Sequence, residues 1–311
     1  MNNNEPKGVK AAFNTLVLVA ALGYFVDIYD LILFGVVRVS SLNALGITDA
    51  LQVKTIGENL INWQMGGMLV GGLVWGVLGD KRGRVTVLFG SILLYSLANI
   101  ANGFVGAACF AGHHIEAYEG LRFIAGFGLA GELGAGITLV SETMHRDDRG
   151  YGTMLMVMVG ALGGVAAAIF GRYLSWNTSY FVGGGLGLAL LAMRVGTYES
   201  GLFKNTQEEK AIERGNFFHL FTEKRRFFKY LACIFMGIPI WFTVGILVLQ
   251  AKEFNEVIRV VGLDAKTIGI TAITWLYIGL AVGDIAAGWL SQLVKSRKKI
   301  VLAFIIAHAF T

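Results

Sequence analysis

Eight apolar runs, each about the length of a bilayer-crossing helix, constrain this chain more than any other feature. They cover residues 12–37, 58–78, 85–107, 118–140, 151–170, 178–196, 229–250 and 267–293. A ninth begins near Lys299 and ends with the sequence at Thr311, too short to span. The expected class is therefore all-α, a polytopic membrane protein. The composition agrees, with 55% hydrophobic and only 15% charged residues. Forty-two glycines against two prolines point to closely packed helices rather than to a loop-rich soluble fold. The first run carries two aspartates and lacks a small-residue cleavage site, which argues against a signal peptide.

The net charge of +5 needs no nucleic-acid partner, because its distribution explains it. With the amino terminus inside, most of the 26 Lys and Arg fall on inner loops. Counting only short loops keeps the excess, so the expected amino terminus is cytoplasmic. Cys109 and Cys233 then lie near opposite membrane faces and cannot bridge within one molecule; they read as small buried hydrophobes. His113 and His114 have no third ligand spaced nearby, which argues against a metal site.

Between the second and third runs lies Gly76-Val77-Leu78-Gly79-Asp80-Lys81-Arg82-Gly83-Arg84. So charged a stretch is expected as a tight loop at the membrane surface. Gly76 and Gly83 would let backbones approach and turn, and Asp80 would pair with Arg84 or a helix end. The stretch resembles the hallmark loop of the major facilitator superfamily, G-x-L-a-D-r-x-G-r, matched by Gly76, Leu78, Asp80, Gly83 and Arg84 with Lys81 for arginine. The resemblance implies two six-helix bundles, so most of helix nine and helices ten to twelve are absent from this sequence, as in a truncated product. A weak repeat agrees: Gly288-Trp289-Leu290-Ser291-Gln292 and its basic tail echo the loop, with Gln292 replacing the aspartate. The expected organisation is an N-terminal bundle over 1–196, a cytoplasmic linker over 197–228 and a partial C-terminal bundle over 229–311. Aromatics and cations interleave at Phe217-Phe218-His219-Leu220-Phe221 and Lys224-Arg225-Arg226-Phe227-Phe228, as suits a helix lying on an anionic leaflet.

Five ionisable residues fall inside apolar runs: Asp27, Asp30, Arg122, Glu132 and Asp284. Such groups are expensive in a membrane and face an aqueous path or one another. At 1.5 Å per residue, Asp27 and Asp30 lie roughly 15 and 10 Å below the outer end of the first helix. Arg122 and Glu132 lie about 6 and 21 Å below the same surface on the antiparallel fourth helix. Overlapping depths predict that Asp27, Arg122 and Glu132 act as a group, either as a proton-exchanging set or as a static ion pair that fixes packing. Asp30 shares a face with Asp27, and Asp284 has no evident partner.

The run from Gly23 to Gly35 resembles the first-helix signature of the metabolite:proton symporters, roughly G-x-x-x-E-W-Y-D-F-x-L-Y-G, with Asp27 for Glu, Ile28 for Trp and Phe34 for Tyr. Arg122, Gly126, Gly131, Glu132 and Gly134 resemble that group's R-x-x-x-G-x(4)-G-E-x-G pattern, and Glu142 with Arg149-Gly150 its following inner loop. Glu199-Ser200 resembles the E-S-P after helix six, with Gly201 in the proline position. The fifth run lacks the G-x(3)-G-P-x-x-G-G pattern of proton-driven drug exporters, since it contains no proline. The resemblance implies a bacterial inner-membrane secondary transporter for proton-coupled uptake of a small polar, anionic metabolite. It implies no cofactor beyond the proton gradient, and the expected partners are substrate and lipid around a monomer. Asp27, Glu132 and Asp30 are the expected proton carriers, and Arg122 with Tyr29 the expected substrate contacts. Gly76, Asp80, Gly83, Arg84, Glu142 and Arg149 are the expected conformational latch. An exporter of a metabolite or siderophore, and a non-transporting sensor, remain the alternatives. No nucleophile–base or metal constellation suggests an enzyme.

Overall fold

The computed structural model describes residues 12–145, 148–199, 219–251, 254 and 265–309. Its long helices are α1 Thr15–Ala44, α2 Ala50–Arg82, α3 Arg84–Gly103, α4 His114–Thr143, α5 Arg149–Tyr173 and α6 Trp176–Glu199. After a short turn at His219–Thr222 come α7 Lys224–Phe242, α8 Ala265–Leu293 and α9 Arg297–Ala309. The described residues contain no strand. Seven of these helices are long and apolar enough to cross a membrane. The exception among the eight expected spans is α2, which has the length but carries Lys54, Glu58, Asn59, Asn62 and Gln64 in its first half.

Glycines set the helix spacing. A Cβ on Gly67 or Gly71 of α2 would strike the Phe123 or Phe127 carbonyl of α4, and one on Gly126 of α4 would strike the Gln64 carbonyl of α2. The Trp75 indole N–H crosses this seam to the Phe127 carbonyl at 2.7 Å. Gly163 of α5 lies equally close to the Phe25 carbonyl of α1. Such contacts let backbones meet where lipid supplies no hydrophobic drive to helix association. The principal pairings are α1 with α5, α2 with α4, α3 with α4 and α6, and α8 with α5.

Three expectations change. The nine-residue surface loop contracts to one residue, because α2 runs through Arg82 and α3 begins at Arg84. Gly83 alone makes the turn, at φ 92° and ψ 154°, a region closed to residues with a side chain. Gly76 is a helical residue with open space where its Cβ would be, so it mediates no close approach. Both cysteines are free and exposed rather than buried: Cys109 lies in the Ala108–Phe110 turn and Cys233 on α7. α7 starts five residues earlier than expected, so Lys224-Arg225-Arg226 form its first turn. Most of the expected linker lies outside the described residues.

α7 contains Pro239, which cannot donate to the helical ladder, and relaxes into a π-helical segment over Thr243–Val248. The Thr243 hydroxyl donates back to the Pro239 carbonyl at 3.0 Å.

Candidate functional site

Two polar clusters occupy the interior of the α1–α6 bundle. The first joins α1, α3, α4 and α6. Arg194 of α6 grips Glu132 of α4 with both terminal nitrogens: Nη1 donates to Oε2 at 2.9 Å and Nη2 donates to Oε1. Both side chains are buried, with 4% and 0% of their surface exposed. The fork-to-carboxylate geometry is the arrangement that best offsets the cost of burying two charges. Gly23 of α1 makes room for it, because a Cβ there would collide with Glu132 Oε1 and Arg194 Nη2.

Asp27 lies one helical turn beyond Gly23, buried, with neither carboxyl oxygen hydrogen-bonded. It is within electrostatic range of Glu132, Arg194 and Asp30. The buried Tyr95 hydroxyl of α3, also without a hydrogen bond, is in range of the same four groups.

The second cluster surrounds Arg122, ten residues before Glu132 on α4 and so roughly 15 Å away along the axis. Arg122 is fully buried. Its Nη2 donates to Gln64 Oε1 of α2, while Nε and Nη1 make no hydrogen bond. Its guanidinium carbon is 4.9 Å from the centre of the Phe34 ring and 6.0 Å from that of Tyr180. The Tyr118 and Tyr180 hydroxyls are 2.7 Å apart. Asp30 is the carboxyl within electrostatic range of Arg122. Asn99 lies alongside, and Asp30 Oδ1 occupies the space that Gly183 of α6 leaves open.

The structure thus divides the expected group of Asp27, Arg122 and Glu132. Glu132 and Asp27 sit together, but their guanidinium is Arg194, and Arg122 sits instead with Gln64 and Asp30. Sequence reading missed Arg194. It lies two residues from the expected end of its run, where a cation reads as belonging to the surface. Extension of α6 to Glu199 and the opposing Glu132 bring it inside. Tyr29 is spent on packing: its hydroxyl donates to the Ser179 carbonyl of α6 at 2.8 Å, and its ring meets Phe170 edge-on at 5.9 Å. Asp284 of α8 is in range of Tyr24 of α1, and Tyr277 of the same helix seats its ring over Gly164 of α5.

Of the expected latch, Asp80 and Gly83 are exposed at the α2–α3 junction. The side chains of Arg84 and Glu142 lie outside the described residues. Arg149 Nε donates to the Met144 carbonyl at 3.0 Å, closing the end of α4. Next to it, the Gln292 side chain of α8 rests on Gly150 at the start of α5.

A sequence profile described as Major Facilitator Superfamily matches residues 16–311, nearly the whole chain. The chain belongs to this superfamily. As a superfamily member with several apolar helices it is a multi-pass membrane protein. It is 31% identical over 219 residues to a putative metabolite transport protein of Haemophilus influenzae, a match covering 68% of this chain and 49% of that one. It is 29% identical over 174 residues to the niacin transporter NiaP of Acinetobacter baylyi, covering 55% and 37%. The chain thus spans about half the length, or less, of these curated relatives. Among solved structures, that of the D-xylose–proton symporter superposes with a TM-score of 0.55 at 16% identity, covering 94% of this chain and 68% of the other. At that identity the likeness shows the fold.

Proposed function

We propose that this superfamily member is a secondary active transporter that takes up a small polar, anionic organic metabolite with protons, by alternating access. The observation carrying this reading is the pair of buried clusters. One holds two carboxyls and a single guanidinium, as a proton-exchanging site needs. The other presents Arg122 with two uncommitted donor nitrogens amid aromatic rings, suited to a planar carboxylate. Asp27 and Glu132 are the proton carriers, with Asp30 beside the anion contact Arg122. Tyr29 holds α1 to α6 at the substrate site's edge.

Helices α1 to α6 form one bundle, the segment between α6 and α7 is a cytoplasmic linker, and α7 to α9 belong to a second bundle. The protein lies in a bacterial inner membrane as a monomer with its amino terminus inside. Gly76, Asp80, Gly83, Arg84, Glu142 and Arg149 form the inner-face latch. The niacin transporter among the relatives makes niacin, an aromatic carboxylate, the first probe. In proteoliposomes of the full-length protein, labelled niacin is expected to exchange in counterflow and to accumulate under an inward proton gradient. Accumulation indifferent to that gradient overturns proton coupling. Exchange of neutral metabolites in place of carboxylates overturns the anionic substrate.

A further inference from the structure

In the first cluster the number of carboxyls exceeds the number of cations. Glu132 takes both ends of the Arg194 fork, while Asp27, in range of the same guanidinium, has no hydrogen bond. Among the described residues, the charged and titratable groups around Asp27 are Glu132 on α4, Arg194 on α6, Asp30 on its own helix, Tyr95 on α3 and Tyr24 on its own helix, which in turn faces Asp284 of α8. Arg122 is in range of Asp30 and is committed to the second cluster. Arg194 is therefore the cation that Asp27 and Glu132 have in common. A buried carboxylate without a cation or donors is too costly to persist, so one guanidinium supports one ionised carboxyl at a time.

We infer that Arg194 is a positioning residue shared between Glu132 and Asp27, and that whichever carboxyl it does not hold carries the proton. In the arrangement described here, Glu132 is the carboxylate and Asp27 the acid. When the guanidinium crosses to Asp27, the Asp27 proton leaves its oxygen and Glu132 takes one up. The site's net charge and proton count stay the same, and the location of the proton changes. Gly23, one helical turn before Asp27, leaves open the space that the Glu132 carboxylate and the Arg194 guanidinium occupy. The inference deepens the proton-coupled reading proposed above, because it says what moves the proton.

The test needs no substrate. Infrared spectra of the purified full-length protein at neutral pH report protonated carboxyls through their carbonyl stretch. Difference spectra against Asp27→Asn and Asp30→Asn assign the Asp27 and Asp30 bands. The expected wild type shows an Asp27 acid band. In Glu132→Gln the Asp27 band is expected to vanish, because Arg194, released, takes Asp27 as its carboxylate. In the double variant Glu132→Gln/Arg194→Gln the band is expected to return, because no guanidinium remains. That return also shows the loss in the single variant was not misfolding. An Asp27 band unchanged in Glu132→Gln, or absent from the wild type, overturns the shared guanidinium and leaves a static Glu132–Arg194 pair. Transport assays judge the proposed function separately: a shared guanidinium without gradient-driven uptake would fail that reading and not this one.

Discussion

A single missing methyl group decides whether the Glu132–Arg194 pair can form. Gly23→Ala places a Cβ on top of Glu132 Oε1 and Arg194 Nη2. Neither atom can withdraw without breaking the fork, so the cost is expected in the overpacking range, about 1–3 kcal/mol. A lowered thermal midpoint of the detergent-solubilised protein reports it. Gly66→Ala, where no atom lies within 4 Å of the new Cβ, is the control expected to hold or gain stability. The same pair governs Glu132→Gln, which keeps shape and hydrogen bonding but holds no exchangeable acid proton. Gradient-driven uptake is expected to be abolished while exchange of substrate across the membrane survives. Full uphill uptake by this variant would take Glu132 out of the mechanism. At the other cluster, Arg122→Lys keeps the charge but loses the planar fork and its stacking on Phe34. The half-saturating concentration for exchange is expected to rise about tenfold or more, the scale of one charge-assisted hydrogen bond. An unchanged value would place the anion elsewhere.

Between helices, the connection from α2 to α3 rests on one backbone conformation. Gly83→Ala puts a side chain into a φ,ψ region that only glycine occupies without strain, at a cost of about 1–3 kcal/mol. Gly76→Ala, in the same motif but on a helix with open space beside it, is expected to change stability by less than about 0.5 kcal/mol. Thermal melts of the two variants side by side test this, and equal losses would contradict the one-residue turn. The α2–α4 seam follows similar logic on a larger scale. Gly67, Gly71 and Gly126 bring the backbones together, and that proximity aligns Gln64 with Arg122. The meeting of Arg122 and Gln64 thus depends on residues with no chemistry of their own.

For the molecule as a whole, the orientation proposed from its charges is open to direct labelling. Cys109 and Cys233 are both exposed and must first be replaced. Single cysteines at His113 and Gly262 are then expected to react with an impermeant reagent from outside. Those at Gly83 and Gln207 are expected to react only after permeabilisation. The reverse pattern would invert the topology and every depth derived from it. α8 packs on α5 through Tyr277 at Gly164, Met154 at Gly288 and Gln292 at Gly150.

The helical class, the number of long helices and most of their positions were legible in the chain, because a bilayer demands about 20 apolar residues per crossing and that periodicity survives in sequence. The superfamily was legible too, because the Gly76–Arg84 motif and the Gly23–Gly35 run are local. The buried position of Asp27, Asp30, Arg122 and Glu132 followed from the cost of charge in hydrocarbon. Pairing was another matter. Depth along a helix is a one-dimensional coordinate, and it brought Arg122 and the carboxylates together without saying which helix faces which. Rotation about each axis, set by the glycine contacts, turned Glu132 toward Arg194 and Arg122 toward Gln64. Arg194 was the residue least visible beforehand, since a cation near a helix end looks like a surface anchor until a partner on another helix is in place. Apolar patterning was enough to put these charges among the membrane helices; their partners emerged only from the folded bundle, because pairing depends on side-chain direction across several helices at once.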